Sequence, residues 1–440
     1  MPKATPRSRA SSVKLPPALG AIADSIIEAK LPNGLRIRLV PNAGVPTCSY
    51  YTFFKVGARN ERPGITGISH LFEHMMFNGA KKYGPGMFDK VLESNGGSSN
   101  AYTSNDLTVY YEDFMAEALE KVIDLESDRM RSLAVTPKML ASERQVVMEE
   151  RRLRVDNEIA GMMDEELGAL VYKAHPYRWP VIGWMGDIEN IKREDCLEYF
   201  RTYYAPNNAT IYVAGDFDPK QALALIKKAY GNIKAGPAVP GVLDAEPEQK
   251  GERRANVHYP AQAHSLMIAW RGPKGDDPDT FILDVVQYAL SVGQSSRLTK
   301  KLVFELELAV GVNVDWTWRV DPGTFTVGLE LKAGGDPAKA EAALYGELER
   351  LAKDGLDARE LEKAKNNLAG TLMRELATNS GRAHALGTYE MMLGDWRRGL
   401  ALPTAYESIT SEDVKRVVAK YLSGERRNVV TLVPTNGAEA

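Results

Sequence analysis

Apolar residues recur at helical spacing between Ile65 and Met76, where Ile65, Ile68, Leu71, Phe72, Met75 and Met76 form one stripe. Gly64 and Gly67 loosen the start of this predicted helix, and Asn78-Gly79 supplies a stop. A second helix is predicted over the run Ser142 to Leu153. Residues seven apart share a face there, so Glu143 and Glu150 point the same way, with Val146 and Val147 on what should be the buried side and Glu149 turned to solvent. Further on, Phe281 to Tyr288 reads as an apolar helix without histidine or glutamate. Two stretches look alike. Ile191, Glu194-Asp195 and Tyr203 lead to a strand over Thr210 to Ala214, and Ile409, Glu412-Asp413 and Tyr421 lead to a strand over Asn428 to Val433. The isoleucines and tyrosines keep the same spacing, which predicts an internal duplication. Between the halves, Gly231 to Ala255 carries Pro237, Pro240 and Pro247 and no periodicity, so it reads as a linker.

Length and charge support this division. At 440 residues the chain is too long for one ordinary core. The expected organisation is an N-terminal arm over 1–25, a first domain over 26–230, a linker over 231–255 and a second domain over 256–440. A net charge of −3 gives no reason to expect nucleic-acid or membrane binding. Two cysteines, Cys48 and Cys196, make no disulfide framework and read as reduced thiols. The arm has Lys3, Arg7, Arg9 and Lys14 but no apolar centre, and Pro2, Pro6, Pro16 and Pro17 argue against an amphipathic helix. It is expected to be disordered, and the cytoplasm is favoured over a mitochondrial or periplasmic address.

The chemistry concentrates in His70-Leu71-Phe72-Glu73-His74, an H-x-x-E-H pattern, the inverted form of the zinc-protease signature, in a chain with only six histidines. Histidines four apart lie on one face of a helix, and Glu73 lies close to the same face. That suffices to hold a metal with two imidazoles and to set a carboxylate beside its water. The competing reading is a pair of core histidines satisfied by backbone carbonyls. A third ligand is needed. A carboxylate on a buried face is costly unless paired or metal-bound, so Glu150 is read as the ligand and Glu143 as the group that orients a histidine. Against this stands a solvated charged helix with ion pairs to Arg151 and Arg154.

His70-x-x-Glu73-His74 followed by Glu143-Arg-x-Val-Val-x-x-Glu150 resembles the pitrilysin family of zinc metallopeptidases, which includes insulin-degrading enzyme and the mitochondrial processing peptidase. The resemblance runs from about residue 30 to the C-terminus. Weaker matches fall in order: Leu31 to Leu35, Asn100 to Thr103, His175-Pro176-Tyr177 with Gly183, Tyr203 to Asn208, and Val213 to Asp216. It implies an α+β fold of two homologous domains, each a mostly antiparallel sheet with helices packed on one side. It also implies one zinc ion per chain on His70, His74 and Glu150, with Glu73 as the general base of an endopeptidase. Peptide would dock as an added strand along Asn100, Ala101 and Tyr102, and Phe77 would be a wall for the residue after the cut, unless it is simply core.

One departure matters. Active relatives carry an arginine and a tyrosine seven residues apart in the second half, and the matching positions here are Val303 and Val310, which donate no side-chain hydrogen bond. Arg297 does not restore the pair and is expected to make a structural ion pair or to start a helix. The chain therefore resembles the zinc-binding subunit of a bacterial two-subunit member. A homologous partner would supply the missing pair and close a chamber around peptides, with a homodimer as the other arrangement. A presequence-type processing peptidase and a non-catalytic scaffold homologue are the alternative functions.

Overall fold

The computed structural model describes residues 15–243 and 245–435. Eleven strands are described: β1 (Ile27–Lys30), β2 (Arg36–Pro41), β3 (Thr47–Phe54), β4 (Ser98–Thr103), β5 (Thr108–Met115), β6 (Ala209–Gly215), β7 (Arg253–Pro260), β8 (Ser265–Arg271), β9 (Ala309–Thr317), β10 (Thr324–Leu331) and β11 (Asn428–Thr435). They form two sheets, ordered β1-β2-β6-β3-β5-β4 and β7-β11-β8-β10-β9. Without β1, the two orders correspond strand for strand. Each sheet has one parallel pair, β2 with β6 and β7 with β11, and is otherwise antiparallel. The expected duplication is therefore present in the topology. The helices Arg193–Tyr203 and Ser411–Tyr421, predicted from the matching Ile and Tyr positions, precede the corresponding strands β6 and β11.

The central strands of the first sheet are apolar on both faces. Along β3, Cys48, Tyr50 and Phe54 enter one core while Tyr51 and Phe53 enter another, as the two-residue period of a strand requires. The first core is filled by helices of the first half. The second is closed by helices of the second half through Leu372, Leu376, Leu386, Trp396 and Leu400. The second sheet repeats the arrangement. Its own helices cover Leu266, Ile268 and Trp270 of β8, while Met163, Leu167 and Val171 of the first-half helix Ile159–Val171 cover Ala269, Val430 and Leu432 on the opposite face. Each half packs its own helices on one side of its sheet and borrows the cover for the other. That exchange joins the halves through two apolar layers.

Part of the expected disordered arm is ordered. Pro17–Ser25 is a helix, and Leu19 is 1% exposed in the layer behind the first sheet. Pro17 stands at the first turn of this helix, where a missing N–H costs nothing, so the proline weighed against a helix begins one. Residues 1–14 of the arm lie outside the described residues. Among the described residues no regular element falls between Tyr230 and Arg253, although β7 takes up the last three positions of the expected linker. Cys48 and Cys196 are buried free thiols. Among the described residues no helix is long and apolar enough to cross a membrane.

Candidate metal centre

The apolar stripe folds as the helix Ile68–Met75, hereafter the motif helix, with Ile68, Leu71, Phe72 and Met75 buried. Gly67 precedes it with φ near +87°, a conformation that favours glycine, and a Cβ there would lie 2.3 Å from the Ile182 carbonyl oxygen. Gly183 faces it from the other side, where a Cβ would lie 2.4 Å from the Gly67 nitrogen. The start of the helix is capped from a distance. Glu61, 6% exposed, accepts hydrogen bonds from Gly67 N at 2.8 Å and Ser69 N at 2.9 Å. Burial pushes the Glu61 carboxyl up to about 8, and the two N–H donors hold it back only in part.

The second helix spans Pro137–Arg151 and continues into a wider turn over Arg152–Asp156. Its last residue, Arg151, is buried and donates to Gly183 O at 2.7 Å, with Glu165 at 2.8 Å and Asp156 at 3.2 Å as ionic partners. One loop at Gly183 thus fixes both the start of the motif helix and the end of the glutamate helix. Of the two valines expected on the buried face, Val147 is fully buried but Val146 is 47% exposed. The buried face is narrower than the seven-residue spacing implied, because only one side of this helix meets the core. Glu149 is solvated, as expected, and pairs with Arg152.

This clamping brings His70, His74 and Glu150 together, one ligand atom from each lying within 4.8 Å of the others, the only such cluster among the described residues. Glu150 Oε2 is 3.6 Å from His70 Nε2 and 3.2 Å from His74 Nε2. Ligands about 2.1 Å from a tetrahedral zinc stand about 3.4 Å apart, so the spacing fits such an ion. The chemistry fits as well. Glu150 Oε2 is buried with no hydrogen-bond partner, and each neutral imidazole has one ring nitrogen with a free lone pair, so a cation among the three can satisfy all of them. Glu143 stands 3.7 Å from His74 Nδ1, which makes His74 the histidine it faces.

The electrostatics are uneven. Burial, then the neighbouring His74 charge, pushes His70 down to about 4. At His74 burial also pulls downward, but contact with Glu150 outweighs it and the net shift is upward. His74, the largest influence, together with His70 and Arg154 holds Glu150 below the usual carboxylate range despite its partial burial. Glu73 is moved the other way. Burial raises it, Thr103 of β4 and His74 offset this in part, and Glu73 Oε2 has no hydrogen-bond partner.

The predicted docking residues divide. β4 is an edge strand of the first sheet and packs against the motif helix. Asn100 is exposed and Ala101 is half-buried against the first core. Tyr102 turns to the opposite face, where its hydroxyl meets His384 Nε2 of the second half at 3.1 Å, and that nitrogen's ring partner Nδ1 lies 3.2 Å from Glu375. Phe77 is half-buried, edge-on to Phe88 with centroids 6.0 Å apart, and 5.7 Å from the Arg129 guanidinium. In the second half Val303 is partly buried in the core and Val310 is 59% exposed on β9. Arg297 makes the expected structural ion pair, bidentate to Glu360 at 2.7 and 2.6 Å. Sequence reading missed Glu61, Thr103 and the role of Arg151, since their partners lie on separate elements. Arg154 had a signal, four residues after Glu150, but only within the solvated-helix reading.

Two sheets with exchanged helical cover carry a two-histidine, one-carboxylate cluster beside the half-buried Glu73. Residues 36–183 match the family model "Insulinase (Peptidase family M16)" and residues 190–368 match "Peptidase M16 inactive domain". The chain is 32% identical over 419 residues to the zinc protease PqqE of Helicobacter pylori, with 92% of each chain covered. It is 27% identical over 412 residues to a probable mitochondrial-processing peptidase subunit beta of Arabidopsis thaliana, covering 89% of this chain and 75% of that one. The crystal structure of a protease from Helicobacter pylori matches with a TM-score of 0.90 and 30% identity, covering 93% of this chain and 99% of the other. The protein belongs to peptidase family M16, the pitrilysin family that its motif resembles.

Proposed function

We propose that this chain is the zinc-binding subunit of a metalloendopeptidase that hydrolyses peptides or unfolded polypeptides. The observation that carries the reading is the convergence of His70, His74 and Glu150 within 4.8 Å, with Glu73 half-buried on the same helix. The similarity to a protein named as a zinc protease supports it. Bound zinc supplies a water that ionises near neutral pH and a Lewis acid for the substrate carbonyl. Glu73, raised by burial, takes a proton from the attacking water and returns it to the leaving amine. Glu143 orients His74. Peptide adds to the free edge of β4 through main-chain hydrogen bonds, which selects extended chains without demanding a sequence. Asn100 is open to that peptide, Ala101 lines the strand, and Tyr102 anchors it to the second half.

Val303 and Val310 leave the chain without a side-chain donor at the positions where relatives carry the arginine and tyrosine, and losing one oxyanion donor costs about 100- to 1,000-fold in turnover. A homologous partner subunit therefore supplies that pair across a chamber, and the name of the Arabidopsis relative, a subunit beta, supports a shared enzyme. The test is hydrolysis of a quenched fluorescent peptide by the zinc-loaded chain, alone and with a second family member from the same source. Activity from the mixture only is expected; full activity from the chain alone overturns the partner model. The same relative favours a second reading, presequence removal, which a strict demand for arginine near the cut would support. A chain that takes up no stoichiometric zinc is a scaffold and not a peptidase.

A further inference from the structure

The two oxygens of Glu150 have different surroundings. Oε2 is buried and faces both histidines, whereas Oε1 meets Arg154 Nε at 3.0 Å. The Arg154 side chain is 76% exposed, so the pair stabilises the fold little. Its backbone, in contrast, is fixed. A Cβ on Gly161 would lie 2.1 Å from the Arg154 carbonyl oxygen, and the turn is closed by Asn157 N donating to Arg152 O at 2.9 Å and by the Arg151–Asp156 ion pair at 3.2 Å. An exposed guanidinium on a rigid turn, ion-paired with the Glu150 oxygen other than the one nearest the histidines, is placed to control how that carboxylate binds.

We propose that Arg154 is a positioning residue that occupies Glu150 Oε1 and so holds Glu150 as a one-oxygen metal ligand. A carboxylate with both oxygens free swings readily to grip a metal with two. Doing so takes up the open position that a catalytic zinc site keeps for water. With Oε1 engaged by Arg154, only Oε2 reaches the ion and the open position is preserved. The inference rests on the metal-site reading above, and its test separates the two.

The experiment compares the full-length wild type with Arg154→Ala, Arg154→Lys and, as a control on the same turn, Arg152→Ala, whose partner is the solvated Glu149. Zinc affinity is measured by chelator competition, and the visible spectrum of the cobalt-loaded protein reports coordination number. Arg154→Ala is expected to bind zinc at least as tightly as wild type, because a second carboxylate oxygen joins the ion and a nearby cation is gone, and to shift the cobalt bands toward the weaker absorption of a five-coordinate ion. Arg154→Lys restores part of the wild-type spectrum, because an ammonium still reaches Oε1 without the fork of arginine. With peptide substrate, kcat falls and KM is unchanged. Arg152→Ala matches wild type in every readout, and the thermal midpoints of all metal-free variants agree. An unchanged cobalt spectrum or weaker zinc binding in Arg154→Ala, or an equal spectral shift in Arg152→Ala, overturns the assignment to Arg154 while leaving the metal site standing. Wild type that takes up no zinc or cobalt overturns both.

Discussion

The two halves place equivalent helices at equivalent points in the topology and differ in how the carboxylates on those helices are satisfied. In the second half the helix Pro278–Ser291 is capped by the residue next to it, Asp277, and carries two buried carboxylates, Asp279, paired with Arg416 and Lys420, and Asp284. Trp318 Nε1 donates to Asp284 at 2.8 Å and the Tyr406 hydroxyl donates at 2.9 Å, so both oxygens are satisfied. In the first half the motif helix is only eight residues long, is capped remotely by Glu61, and leaves His70 Nδ1 and Glu73 Oε2 without partners, as the facing helix leaves Glu150 Oε2. Native structures pair nearly all buried polar groups, and the exceptions need a reason. Asp284 holds elements together, while the unpaired atoms of His70, Glu73 and Glu150 cluster where the proposed metal site lies.

The sharpest way to break this contrast is at Glu73. Glu73→Gln keeps the shape but cannot take a proton, so cleavage is expected to fall at least about 100- to 10,000-fold while zinc content stays at wild-type level. Retained hydrolysis of a fluorogenic peptide would refute the base assignment. Next is Glu150→Gln, which replaces an anionic ligand with a neutral amide. Zinc affinity should drop about 10- to 100-fold or more, read by chelator competition, and unchanged zinc content would sink the third-ligand reading.

The second half gives the smaller and complementary effect. Asp284→Ala strips the buried Tyr406 and half-buried Trp318 donors of their acceptor and should lower stability by about 1–3 kcal/mol, measured by urea denaturation, without changing zinc affinity. Asp284 also predicts a pH dependence. Burial pushes its carboxyl up to about 7, above the unfolded value, against the two hydrogen bonds. A raised acid contributes stability that is full below the unfolded pKa and is lost as pH rises through about 7. Urea midpoints of the metal-free wild type should therefore fall between pH 5 and pH 8, and Asp284→Asn should flatten that slope. A slope unchanged by the substitution would assign it to another group.

Much of the site could be read before any fold was known, for a physical reason. His70, Glu73 and His74 lie within one helical turn, so their spacing fixes their common face. Glu143 and Glu150 sit on one regular helix, so their relation is equally local. Val146 shows where such reasoning ends, because periodicity gives the direction of a side chain but not what the neighbouring element covers. Tyr102 shows the same limit. Strand alternation separates it from Ala101 and Thr103, yet only packing against the second half makes its partner His384.

The sequence by itself determined the histidine and glutamate pattern on two helices, the duplication and the absence of donors at Val303 and Val310, since each depends on residue identity at short or repeated spacing. Tertiary structure alone decided that Gly183 clamps both ligand helices, that Glu61 caps the motif helix from outside it, and that each sheet borrows its second cover from the other half. Those contacts join residues far apart in the chain through backbone approach and buried area. No local period encodes either of them.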